Sequence, residues 1–179
     1  LPFLPAISAS SPIYESKIGA DRDNRLHFYA VNQASVPSIT GDIIPERVHS
    51  FEEYKKTTIR QYSEDLAKVH APKSLLNKEW LNSRGAVIRF CRKALEIRIM
   101  DEQECIKSDV ALSCFIRSLL RGILREKETE QLLHAVLVRN LHQVIHDGLE
   151  AYVQHPKGKT ARQVCNNLLL FAERNASTE

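Results

Sequence analysis

The chain has 179 residues, enough for one domain with a real core and too few for two comfortable ones, so a single domain over 1–179 is expected without disulfide staples. Its 25 Lys+Arg against 22 Asp+Glu leave a formal charge of +3, and 43% hydrophobic with 26% charged residues is the balance of a folded globular protein rather than a disordered one. A dedicated nucleic-acid binder would carry a larger and more clustered basic surplus, and no stretch approaches the ~18 consecutive apolar residues of a membrane span.

The opening run Leu1-Pro2-Phe3-Leu4-Pro5 has no charged n-region and no long apolar h-region, so a cytoplasmic chain is expected. Met100 is the only methionine, which leads us to expect a processed chain or a piece of a longer one. Residues 1–49 are rich in Pro, Ser, Asn and Gly, with Ser8-Ala9-Ser10-Ser11-Pro12 and Val36-Pro37-Ser38-Ile39-Thr40-Gly41 as breaker runs. They read as loop with one helix around Asp21 to Val31. Ser50-Phe51-Glu52-Glu53 is a capping box. The helix it opens should reach about Val69, with Tyr54, Ile59, Tyr62, Leu66 and Val69 on its apolar side.

Between Ala86 and Asp101 the period changes to two. Val87-Ile88-Arg89-Phe90-Cys91 and Ala94-Leu95-Glu96-Ile97-Arg98-Ile99 read as two strands of a hairpin. From Ser108 the helical period returns through Leu112, Phe115, Ile116, Leu119, Leu120 and Ile123, ending near Gly122 to Arg125. A longer helix is predicted from Thr129 to Val153, with Leu132, Leu133, Val136, Leu137, Leu141, Val144, Ile145 and Leu149 inward. Pro156 and Gly158 break it, and Thr160-Ala161-Arg162-Gln163 caps a last helix through Leu168, Leu169 and Ala172. The fold class is therefore α+β, mostly helical with a short antiparallel strand pair.

The strand pair carries the chemistry. Alternation puts Leu95, Ile97 and Ile99 on one face, with Glu96 and Arg98 roughly 7 Å apart on the other. A turn at Arg92-Lys93 would set Arg89 directly opposite Glu96, although that dipeptide lacks the Asn-Gly or Asp-Gly of a tight hairpin. A carboxylate between two guanidinium groups suits a metal-bound polyphosphate, the carboxylate on Mg²⁺ and the arginines on phosphate oxygens. It equally suits a plain cross-strand ion pair worth less than about 1 kcal/mol.

Other signals are weaker. His142 and His146 stand at i and i+4, with His134 nearby, but no Glu follows His142, so the ligand count for zinc is short. Arg84, Arg89, Arg92, Lys93 and Arg98 form a basic run with Phe90 as its single aromatic, a better fit to a nucleotide's phosphates than to nucleic acid. Cys91, Cys105, Cys114 and Cys165 form no C-x-x-C and read as free thiols in the core.

Ile88-Arg89-Phe90, then Ala94-Leu95-Glu96-Ile97-Arg98-Ile99-Met100-Asp101 and an apolar helix, resembles the carboxylate-amine ligases of glutamate-cysteine ligase family 2. It is similar, more distantly, to the strand pair and helix of glutamine synthetases. Leu1 to Pro12 resembles the family's segment ending in S-A-S-S-P. Asn140 with Asp147-Gly148-Leu149-Glu150-Ala151 resembles its late helix, and Ala161 to Glu173 its C-terminal one. The segment Val36 to Glu46 and the loop Ala71 to Arg84 have no counterpart. The resemblance implies the C-terminal part of a glutamine-synthetase-like catalytic core in a longer ATP-dependent ligase, which joins a glutamate-like acid to an amine through an acyl phosphate with ATP and Mg²⁺. By motif position Glu96 would ligate the metal, Arg98 would contact the transferring phosphate, and Arg89 would bind nucleotide phosphate or the acyl phosphate. Arg25 would bind a substrate carboxylate. The missing N-terminal part would supply further carboxylates, and the Leu-rich helices could pair in a homodimer. A helical interaction or regulatory module that keeps the fold without binding nucleotide is the competing expectation.

Overall fold

A computed structural model describes residues 11–33, 37–76, 79–127 and 132–176. Residues 1–10 of the S-A-S-S-P segment and the predicted helix start at Thr129 lie outside them. The described chain is α+β, with long helices and three two-stranded antiparallel pairs.

The first elements correct the loop reading of residues 1–49. Strands β1 (Ile13–Tyr14) and β2 (Lys17–Ile18) form a hairpin. Its turn residues Glu15 and Ser16 both have positive φ, 49° and 62°, the geometry of a type I′ turn without the glycine or asparagine that would have announced it. Helix α1 (Asn24–Gln33) starts where the Asp23 carboxylate accepts from Leu26 N at 2.9 Å. The run Pro37–Thr40, read as a breaker, is a short helix, α2, with Pro37 at the first position, where a missing N–H costs nothing.

The Ser50 helix is present as α3 (Phe51–Tyr54), a π-helical turn (Lys55–Ile59) and α4 (Arg60–Lys68). Ser50 Oγ accepts from Glu53 N at 3.0 Å, while the Glu53 carboxylate reaches His49 N at 2.7 Å, one residue earlier than a capping box places it. Tyr54, Tyr62 and Leu66 are buried, but Val69 is exposed because the helix has already ended.

Strands β3 (Ala86–Arg89) and β4 (Ala94–Ile97) form the predicted hairpin with shorter strands and another register. Val87 faces Glu96 and Arg89 faces Ala94, so Arg89 is not opposite Glu96. The link is a 3-10 turn (Phe90–Arg92) closed by Lys93 at φ 50°, which takes more residues than a two-residue turn and moves the pairing by two. A shift of two preserves the faces.

Helix α5 (Ile106–Glu126) matches its predicted span. The long helix expected to Val153 stops earlier: α6 is His134–Asp147, ending at Gly148 with φ 62°, a conformation that favours glycine. Leu133 is exposed rather than inward. A hairpin absent from the reading, β5 (Tyr152–His155) and β6 (Gly158–Thr160), follows, then α7 (Ala161–Arg174) with its full capping box at Thr160 and Gln163.

Leu26, Ile43, Ile44 and Ile99 pack with Leu137, Leu141 and Ile145 of α6 in one cluster. Leu119 of α5 packs with Val164, Leu168, Phe171 and Ala172 of α7 in another. The first cluster backs the hairpin. Among the described residues no disulfide forms; Cys91, Cys105 and Cys114 are exposed rather than in the core, whereas Cys165 is half-buried and packs against the α5–α7 cluster. No helix among the described residues is long and apolar enough to cross a membrane.

Candidate functional site

Parity along β3 and β4 puts Arg89, Glu96 and Arg98 on one face despite the altered register. Arg89 Nη1 donates to Glu96 Oε2 and Arg98 Nε donates to Glu96 Oε1, both at 2.7 Å. Each carboxylate oxygen is thus gripped by a different arginine. The Arg98 hydrogen bond, reinforced by both positive charges against a smaller cost of burial, holds the Glu96 carboxyl below the usual carboxylate range. This face is not the open platform the alternation suggested, since the Arg89 and Arg98 side chains are only 14% and 19% exposed.

The cover is the 3-10 turn Glu79–Leu81 and the strap Asn82–Gly85 that follows it. Glu79 Oε2 lies 3.5 Å from Arg89 Nε, and the same carboxylate accepts from Cys91 N at 3.3 Å. Arg98 Nη1 donates to Asn82 O at 2.6 Å. The fully buried Asn82 side chain donates to Tyr54 Oη at 2.9 Å and accepts from Arg84 N at 3.1 Å. Arg84 is buried too, and forks onto Glu46 through Nε at 2.5 Å and Nη2 at 2.6 Å. Burial alone would raise the Glu46 carboxyl, but the Arg84 hydrogen bond and charge outweigh it and leave it lowered. Gly41, with φ 68°, is where a side chain would collide with the Arg84 guanidinium.

Arg25 stands apart from this cluster. It donates through Nη2 to Ile99 O, and its Nε is 3.3 Å from Asp101 Oδ2, which also accepts from Ser11 Oγ at 2.5 Å. Glu79, Asn82 and Glu46 were not among the residues singled out from the sequence, while Tyr54 was read only as an apolar helix position and Arg84 only as part of a basic run. They come from a loop and a helix whose local patterns signal only turn and amphipathicity. The acidic and basic residues in an otherwise unassigned loop before the hairpin were the available hint.

Among the described residues no group of three or more His, Cys, Asp and Glu forms a metal site, and His146 pairs with Asp147 at 2.7 Å. A lone Glu96 fits Mg²⁺ as the protein's share of a nucleotide-bound ion, which takes one or two carboxylates and completes its shell with phosphates and water. It does not make an all-protein cage.

Beside the cluster lies a groove of about 590 Å³ lined by Lys55, Ile59, Ala67, Glu79 and Phe90. Lys55 Nζ sits 4.9 Å from the centre of the Phe90 ring, and the π-helical turn brings Lys55 and Ile59 to the rim.

The model of glutamate-cysteine ligase family 2 matches residues 1–178. An uncharacterized protein of Archaeoglobus fulgidus is 47% identical over 150 residues, which cover 84% of this chain and 39% of that protein. The chain thus spans about two fifths of the length of the curated relative it matches. No solved structure matches it. With the family model covering nearly every residue, including the strands that carry Arg89, Glu96 and Arg98, the chain belongs to glutamate-cysteine ligase family 2.

Proposed function

We propose that this chain forms the C-terminal part of a glutamine-synthetase-like catalytic core in an ATP-dependent carboxylate-amine ligase. The reaction joins a glutamate-like acid to an amine through an acyl phosphate. The observation that carries this reading is the pair of arginines, each holding one oxygen of Glu96 from a shared strand face. Phosphoryl transfer needs charge neutralisation and positioning more than a covalent nucleophile. Two guanidinium groups whose geometry is set by backbone and strap offer both.

In this reading Arg98 contacts the transferring phosphate, and Arg89 contacts the nucleotide or acyl phosphate. Mg²⁺, when bound with ATP, supplies neutralisation of the phosphate oxygens, with Glu96 as a protein ligand. Arg89 and Arg98 exchange part of their hold on Glu96 for phosphate oxygens, which frees carboxylate lone pairs for the ion. Arg25 binds the carboxylate of a substrate in place of Asp101. The longer protein completes the site with carboxylates of its own.

The test is Mg²⁺-dependent ATP turnover by the full-length protein with glutamate and a mixture of amino acids, detecting released phosphate and any new amide by mass. Glu96→Ala should abolish coupled turnover while the far-UV circular dichroism stays native. Normal turnover in that variant would remove Glu96 from the mechanism. No turnover and no nucleotide binding by the wild type would leave the cluster as an ion-pair network in a non-catalytic module.

A further inference from the structure

Helix α5 turns Ile116, Leu119 and Gly122 inward, yet a second apolar row runs along its opposite face. Ile106 is 81% exposed, Val110 56% and Leu124 77%, with Leu120 at the row's edge. At 3.6 residues per turn these four side chains leave the axis within about 80° of one another, on a helix about 30 Å long. Exposed apolar residues gathered in a row, unlike scattered ones, mark an interaction surface. Charge runs beside them. Lys107, Arg121 and Arg125 line one flank of the row and Arg117 stands at its centre. Arg117, Arg121 and Arg125, four residues apart, form one ridge. None of these four side chains has an ion pair or hydrogen bond among the described residues. Elsewhere Arg25, Arg60, Arg84, Arg89, Arg98 and Arg162 each hold a carboxylate.

We infer that this face of α5 docks an acidic amphipathic helix of a partner protein. The partner's apolar row packs on Ile106, Val110, Leu120 and Leu124, and its carboxylates, repeated every fourth residue, meet Arg117, Arg121 and Arg125. Helix against helix matches the length and straightness of the row. Apolar burial supplies the affinity, and the charged flank fixes orientation and partner choice. Other occupants fit less well. A second copy laid antiparallel, with Ile106 against Leu124 and Val110 against Leu120, sets Lys107 of each beside Arg121 of the other. Laid parallel, it offers the basic flank only Asp109, which already accepts from Gln103 N at 3.0 Å. A nucleic acid would meet the arginines and leave the apolar row in water. A bilayer would cover the row but draw Arg117, at its centre, toward the acyl chains. None of the residues involved belongs to the arginine and Glu96 cluster, so the inference stands apart from the ligase reading.

The experiment measures fluorescence anisotropy of three labelled synthetic peptides, each as long as α5, with the full-length protein. One peptide has leucine along one face and glutamate at every fourth position beside it. The second has lysine in place of the glutamate, and the third is a scramble of the first. The acidic peptide should bind, more weakly as salt is raised, and the other two should not. Arg117→Glu, Arg121→Glu and Arg125→Glu together should lower affinity for the acidic peptide at least about 10-fold and create affinity for the lysine peptide. Leu124→Ser should cost about 10-fold with the salt dependence unchanged. These positions are exposed, so far-UV circular dichroism and turnover should stay those of the wild type. No binding of the acidic peptide, equal binding of the scramble, or a charge-reversed variant that gains no affinity for the lysine peptide would overturn the inference. Vesicles of phosphatidylserine and phosphatidylcholine supply the remaining arm. Their capture of a protein that ignores the acidic peptide, abolished by the same substitutions, would give the face to lipid and overturn it as well.

Discussion

The hairpin region and the α5–α7 pair are held together by different forces. Helix α7 buries Val164, Leu168 and Phe171 against Leu119 of α5, contacts that are non-directional and tolerant of small shifts. The hairpin buries Val87 and Ile99 too, but its outer face is set by an ion pair from Glu79 to Arg89 and by hydrogen bonds that run through Glu96 and Arg98 to Asn82 and on to Arg84 and Glu46. Such bonds fix angles as well as distances. Apolar packing gives one region stability; the other spends polar groups on orientation.

Substitutions can separate the two. The largest stability loss should follow Leu168→Ala, a fully buried side chain in the helix pair, at about 2–5 kcal/mol. Urea unfolding would read it, and turnover per folded molecule should not change; a fall in specific activity would mean that the two regions are coupled. Glu46→Ala should cost somewhat less, about 2–3 kcal/mol, because it strands the buried Arg84 charge, while Glu46 itself is half open to water. Its effect should also depend on pH. The Glu46 and Glu96 carboxyls are both lowered in the folded protein, so below the unfolded value of about 4.3 the unfolded chain binds more protons. Their stabilisation is therefore full above that value and is lost as pH falls through the folded ones. Unfolding followed from neutral to acid pH should show this loss, and the Glu46 variant should show a shallower one. The smallest change is expected at the junction into α7, where Thr160 accepts from Gln163 N. Thr160→Ala should cost about 1 kcal/mol with no effect on nucleotide binding, as thermal unfolding and calorimetry would show.

Much of this was legible before any coordinates. The caps at Ser50 and Thr160 mark helices because they act over three residues of the same chain. The shared face of Arg89, Glu96 and Arg98 was legible for a stronger reason: a strand's alternation survives any even change of register, so the Phe90–Lys93 link could move the pairing by two without separating the charges. Apolar periodicity ran too far at α6, since Leu149 and Val153 continue the pattern although Gly148 has already turned the chain.

The sequence by itself determined which segments coil, which alternate and which three charged residues stand together, because those properties depend on neighbours a few residues apart. Only the tertiary structure decided that Glu79 and Asn82 cover that face, that Arg84 and Glu46 brace it, and that Arg25 is held by Asp101 instead. Those contacts join residues 10 to 76 positions apart in the chain, and no local period records a partner that only packing brings near.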